Sequence, residues 1–232
     1  MVWRKQLTSQ YMLVSGTFEA DGKVPVVYMG QEGPGEVSAS KQYLGHREQS
    51  GILIGGMDFK DADEVAGLYL DGDQPYKSLN AARAALLNVL PEAADCAVMM
   101  GWSTSSNLYK GKKQVKGTGG IRIYIAVSDA SEIPELLEIM HKRSWLKDAG
   151  WAFADKAGRF QERSLFDQAL KVVTQPDFAA PDLADGLTQD REWVVHEGAH
   201  LDPASVSPLT AQEEADSRAT ADLTAGGGED QT

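Results

Sequence analysis

The sequence predicts a mixed α+β domain, a mixed or antiparallel sheet with flanking helices, and three stretches predict it. In residues 117–127 a glycine-rich turn opens a strand in which Ile121, Ile123, Ile125 and Val127 point one way while Arg122 and Tyr124 point the other. Alternation of period two buries one face of a sheet and leaves the other to line a cleft. Ser131 and Pro134 then start a helix whose Ile133, Leu136, Leu137 and Met140 form an apolar stripe. Ser78 caps a second helix, running through 79–90 and stopped by Pro91.

The remaining elements follow in chain order. Residues 11–29 hold two apolar runs separated by Ala20-Asp21-Gly22-Lys23, a hairpin signal, and 31–40 is a Gly/Pro/Ser-rich loop. Residues 51–57 form a short apolar strand that runs into a carboxylate cluster. Residues 95–106 read as a buried strand ending in hydroxyls, and 109–120 as a basic stretch leading to the alternating strand. A hairpin centred on Ala157-Gly158 follows. After Thr174 the texture changes, with Trp193, Val194 and Val195 docking on the body and the chain beyond Pro208 reading as a solvated helix or disordered tail. The expected organisation is a domain over 1–175, a docked extension over 176–207 and an acidic, disordered tail over 208–232.

Net charge is −12, and its location decides what it means. From Pro176 onward there are thirteen acids against two arginines, whereas the first 175 residues carry twenty-one acids and twenty bases. A nearly neutral body leaves a nucleic-acid partner open, which the overall charge alone would disfavour. Cys96 is the sole cysteine, so no intramolecular disulfide forms and a reducing cytoplasm is the expected compartment. No apolar run is long enough to span a bilayer, and the first residues show no secretory h-region.

Four clusters bear on chemistry. Asp58, Asp61, Asp63 and Glu64 follow a strand, where oxygen ligands suit Mg²⁺ or Mn²⁺; the same acids also suit a solvated loop. Ser103, Ser105 and Ser106 at a strand end hold phosphate oxygens or simply form a turn, and no Gly-x-Ser-x-Gly elbow surrounds them. Lys110, Lys112, Lys113 and Lys116 form a basic run suited to a triphosphate or nucleic-acid backbone, or to solubility alone. His196-Glu-Gly-Ala-His200 has the spacing of a zinc helix, but Gly198 and the following Leu-Asp-Pro favour a turn. Neither common nucleotide-binding fingerprint is present.

Taken together, the stretches 51–61, 101–109, 119–124, 143–151, 162–170 and 186–203 resemble the archaeo-eukaryotic primase superfamily in its mobile-element and phage versions. The resemblance implies a primase-like core related to the RNA-recognition fold and a role in DNA replication. In that family a strand bears Asp-x-Asp, a second strand bears a histidine, and a later aspartate completes a two-metal site. Asp58 matches the second acid while Gly56 stands where the first belongs; Arg122 stands in place of the histidine, and Asp167 matches the third acid. The implied catalytic residues are Asp58 and Asp167, with Mg²⁺ or Mn²⁺ on Asp58, Asp167 and a substituting Asp61. Nucleotide contacts fall to Ser103, Ser105, Lys113, Arg122 and Tyr124. Arginine grips a triphosphate bidentately but cannot shuttle protons near neutral pH, and glycine ligates nothing. The expectation is a domain that binds nucleotide or single-stranded DNA, catalyses poorly, works beside a helicase or other replication protein, and touches no membrane. The alternative is a non-enzymatic interaction module acting through its acidic C-terminal region.

Overall fold

Register between the alternating strands is what builds the central sheet, because a slip of one residue would turn every apolar side chain outward. A computed structural model describes residues 12–13, 51–57, 78–117, 120–154, 159–171, 177–178, 183 and 186–226. Strands β2 (Gly51–Met57), β3 (Val98–Trp102), β6 (Ile121–Val127) and β11 (Trp193–His196) form a four-stranded sheet in the order β11-β3-β6-β2, antiparallel at every pairing. Helix α1 (Leu79–Val89) lies between β2 and β3 in the chain, and α2 (Ile133–Leu146) lies between β6 and the later strands. β2 and β3 therefore run parallel with β6 inserted between them, a split strand–helix–strand unit. The fold is α+β, with antiparallel sheets and three helices among the described residues.

The core lies between one sheet face and the two helices. Leu53, Met57, Val98, Met100, Ile121 and Ile123 face Leu86 of α1 and Leu137 and Met140 of α2 in one buried cluster. Ser78 caps α1 as expected, its Oγ accepting from the Ala81 amide at 3.2 Å. For α2 the start differs from expectation. Asp129 caps a 3₁₀ turn, Ala130–Glu132, that precedes Ile133, its Oδ1 accepting from the Ser131 amide at 2.8 Å and hydroxyl at 2.6 Å, while Glu132 at the N-cap of α2 makes no side-chain cap bond. An aspartate two residues upstream competes better for those donors than a serine inside the turn.

Smaller sheets extend this frame. β4 (Leu108–Lys110) and β5 (Lys113–Lys116) form a hairpin joined on the β4 side by β10 (Leu187–Gln189). β7 (Gly150–Ala154) pairs with β8 (Phe160–Ser164), as the expected hairpin requires, and β1 (Met12–Leu13) pairs with β9 (Asp177–Phe178). The hairpin expected around Asp21-Gly22 and the carboxylate cluster 58–64 lie outside the described residues. Residues 176–207, expected as a docked extension, supply β10 to the small sheet and β11 to the central one.

In the acidic C-terminal stretch, where composition allows a solvated helix or a disordered tail, Ala211–Gly226 forms a helix, α3, packed on α2. Thr210 and Glu213 make a capping box: the Glu213 carboxylate accepts from the Thr210 amide at 2.8 Å, and Thr210 Oγ1 accepts from the Glu213 amide at 3.3 Å. Small residues then allow close approach, with Ser217 and Ala221 buried and Ser217 Oγ donating to the Lys142 carbonyl at 3.1 Å. Lys142 pairs with Glu214 at 2.6 Å, and Arg218 with Glu162 at 3.2 Å. Arg143 ties the approach to α3 into the body, donating to both Glu92 oxygens at 3.0 Å and to the Ser207 carbonyl at 3.0 Å.

Beneath this helix sits a pH-sensitive contact. His141 Nδ1 lies 2.9 Å from Ser164 Oγ, which donates to the Phe166 carbonyl at 2.9 Å, so the imidazole must be the donor to the serine. Burial lowers the His141 pKa, with Lys171 adding to the effect and Glu162 and Glu138 opposing it. The unfolded chain therefore takes up a proton first as pH falls below about 6.5, and stability drops with it. A melting temperature that falls between pH 7 and pH 5, and falls less in His141→Gln, is expected from circular dichroism. An equal fall in the variant would assign the effect to other groups.

Candidate functional site

Alternation along β6 turns Arg122, Tyr124 and Ala126 to the sheet face away from the helices, as the sequence predicts. Cross-strand register then sets their neighbours. Gly101 of β3 and Gly56 of β2 are the two partners of Arg122, and Trp193 of β11 is the partner of Gly101. An isolated antiparallel bridge joins Met57 to Phe166, both fully packed in the core. Phe166 directly precedes Asp167 in the chain, as Gly56 directly precedes Met57. The row across the sheet thus reads Trp193, Gly101, Arg122, Gly56, with each step about 5 Å.

Asp167 opens the 3₁₀ turn Gln168–Lys171, its Oδ1 accepting from the Ala169 amide at 3.0 Å. Capping of this kind fixes the orientation of the carboxylate. Arg122 is half-buried. Glycine at 56 leaves no side chain beside Arg122 on the β2 side of the row.

Tyr124 has a different setting from the open cleft position that alternation suggests. It is 2 % exposed, packed with Met99 against Trp193 and Val195 in a second, smaller hydrophobic cluster. Its ring centroid lies 6.1 Å from that of Trp193 at an interplanar angle of 37°, and the Arg191 guanidinium lies 5.3 Å from the Trp193 centroid. Tyr124 is therefore the buried member of the pair and Trp193 the half-buried one. Sequence reasoning treated Trp193 as a docking residue; the signal for more was its alternation with Val195, which sets both on one face of β11.

The serines act as turn formers. Ser103 Oγ lies 2.8 Å from Ser106 Oγ, which donates to the Gly120 carbonyl at 3.0 Å, while Ser106 is fully buried. Gln189 Nε2 donates to the carbonyls of Ser103 at 2.8 Å and Ser106 at 2.6 Å. Ser105 is exposed and 3.4 Å from Ser103 Oγ. These bonds close the junction between the central sheet and the β4–β5 hairpin. Lys113 is exposed beside the hairpin turn, in a different sheet from Arg122 and Tyr124.

Asp58, Asp61 and the rest of the carboxylate cluster lie outside the described residues, Asp58 being next in the chain after Met57. Among the described residues no group of three or more His, Cys, Asp or Glu is placed to hold a metal. Asp167 alone offers one carboxylate, half engaged in its own turn, and a divalent cation would need further oxygens from the cluster. The His196–His200 stretch is extended, not helical: Ala199 bridges Cys96, and a Cβ at Gly198 would collide with the Asp95 and Cys96 backbone. A helical zinc motif is thereby excluded at that position.

A groove of about 660 Å³ lies away from the row, between α2 and the approach to α3, lined by Glu138, Ile139, Lys142, Lys171, Leu209 and Glu214 among others. Its Lys142 is already paired with Glu214, which leaves little net charge to attract an anion. No helix among the described residues is long and apolar enough to cross a membrane. Comparisons with protein-family models, curated proteins and solved structures return no match.

Proposed function

We propose that the chain is a primase-like domain that binds a nucleotide or single-stranded DNA at a site around Arg122, Gly56 and Asp167 and catalyses nucleotidyl transfer weakly. One observation supports this above the others: Gly56 pairs with Arg122, and Met57, the residue after Gly56, bridges Phe166, the residue before Asp167. Their separation in the chain leaves no local reason for them to meet. Arg122 offers a planar, permanently charged fork for a phosphate group. Asp167 and Asp58 would hold Mg²⁺ or Mn²⁺, which would neutralise a triphosphate and align it for in-line attack. Gly56 removes one metal ligand, and Asp61 is the nearest acid in sequence to replace it. Without a histidine at 122 the chain has no proton shuttle at that position, so slow turnover follows from the residue types themselves.

The interaction-module reading draws less support. α3 is docked, and Glu214 and Asp222 are already in ion pairs with Lys142 and Arg218, so part of the acidity is spent within the chain.

A deoxynucleoside triphosphate with Mn²⁺ is expected to raise the melting temperature, by about 2.7 kcal/mol of stabilisation at one hundred times its Kd. Arg122→Ala should remove that rise while its own melting temperature without ligand stays near the parent value. Absence of any shift in the parent at millimolar nucleotide would sink the binding claim. Robust primer extension would refute the claim of weak catalysis.

A further inference from the structure

Residues 96–128 contain no aspartate or glutamate, yet carry Lys110, Lys112, Lys113, Lys116 and Arg122 in a chain whose net charge is −12. The four lysines project from the β4–β5 hairpin, and all are exposed. None makes an ion pair with an acid among the described residues. Lys110 and Lys113 are direct cross-strand partners, and Lys112 sits between them in a turn where Gly111 takes φ +60°. Like charges directly opposite each other on a ladder are destabilising. This arm therefore concentrates positive charge against its own stability, and an external polyanion would relieve the repulsion.

The root of the arm is firm and close to the row described above. Ser106 Oγ, the Ser103 amide and Gln189 Nε2 bind the carbonyls of Gly120, Ser103 and Ser106, where β3 gives way to β4 and β5 approaches β6. Asp190 and Glu192 are exposed near this root, at the end that holds Lys116 and remote from Lys110, Lys112 and Lys113. Gly120 is two residues before Arg122, so a strand leaving the row meets the arm next. From Lys113 to Arg122 the chain spans at most about 30 Å if fully extended. Val115, 49 % exposed between the lysines, adds an apolar surface for a sugar or base edge.

We infer that the β4–β5 hairpin is a phosphate-backbone arm: it grips a single nucleic-acid strand through Lys110, Lys112, Lys113 and Lys116 and delivers it towards the Arg122 row. This rests on the functional reading above, but it assigns the polynucleotide contact to a different sheet from the mononucleotide contact. Charge complementarity names the occupant. Regularly spaced phosphates match a ladder of lysines, whereas the helix α3 of a second copy offers acids already paired with Lys142 and Arg218.

The test is fluorescence anisotropy of a labelled single-stranded oligonucleotide of mixed sequence, titrated with the full chain at several salt concentrations. Substituting Lys110, Lys112 and Lys116 together by glutamine should weaken binding at least tenfold at low salt. The slope of log affinity against log salt should fall by about two, at roughly 0.7 per lost contact on a single strand. Stabilisation by triphosphate and Mn²⁺ should survive in the same variant, which also shows that it is folded. An unchanged affinity and slope with nucleotide binding intact would overturn the arm and leave the nucleotide site standing. Equal loss of nucleotide binding would show a single shared site and overturn the separation. Binding to phosphatidylserine vesicles with no binding to the oligonucleotide would also overturn it, and a parent chain that binds neither nucleotide nor oligonucleotide would remove the functional reading as well.

Discussion

Phe166→Ala is expected to lower the unfolding free energy by about 3–5 kcal/mol, the range for truncating a buried aromatic side chain. Phe166 is 1 % exposed and is the bridge partner of Met57, so its loss opens a cavity between β2 and the turn that carries Asp167. Two measurements separate packing from position. Chemical denaturation should show the stability loss, and nucleotide stabilisation of the folded variant should weaken too, because Asp167 is held by the same bridge. Asp167→Asn is the matched control: the turn can keep its hydrogen bond through the amide oxygen, so stability should change little while metal-dependent binding falls. A Phe166→Ala chain that binds metal and nucleotide like the parent would disconnect the bridge from the site.

Gly101→Val should cost about 1–3 kcal/mol, the usual penalty of overpacking. Trp193 lies flat over Gly101, and any Cβ there would overlap its ring atoms. Valine suits a strand in itself, so the cost comes from displacing Trp193 and, with it, the contacts to Tyr124 and Arg191. Lower stability should be accompanied by a red-shifted tryptophan emission as the ring moves into water. If stability and emission are both unchanged, Trp193 does not rest on that glycine. The same variant is expected to disturb Arg122, the other cross-strand partner of Gly101.

Several elements were legible because their signals are local. Ser78 accepts from the third residue beyond it, and the stripe Ile133, Leu136, Leu137 and Met140 is buried throughout, since capping and a 3.6-residue period need no distant information. Helix α3 was legible only in part. Thr210-Ala-Gln-Glu213 is a capping box in plain sequence, but a docking stripe of Ser217 and Ala221 carries almost no hydrophobic signal. The serines of the β3–β4 junction show the converse: their residue type suits phosphate, and only the positions of Gly120 and Gln189 reveal where their hydrogen bonds go.

By itself the sequence determined which strand face each residue of β6 occupies, where the first helix starts and that the body is nearly neutral, because these depend on periodicity, side-chain chemistry and counting. It also set Arg122 and Tyr124 on one face together. Tertiary structure alone decided that Tyr124 is buried against Trp193 while Arg122 stands in a row with Gly56, one residue from the Met57–Phe166 bridge. The physical reason is register: which residues stand opposite each other between β2, β6 and the 166 bridge is set by the packing of Met57, Phe166 and the isoleucines, and no window along the chain contains all of them.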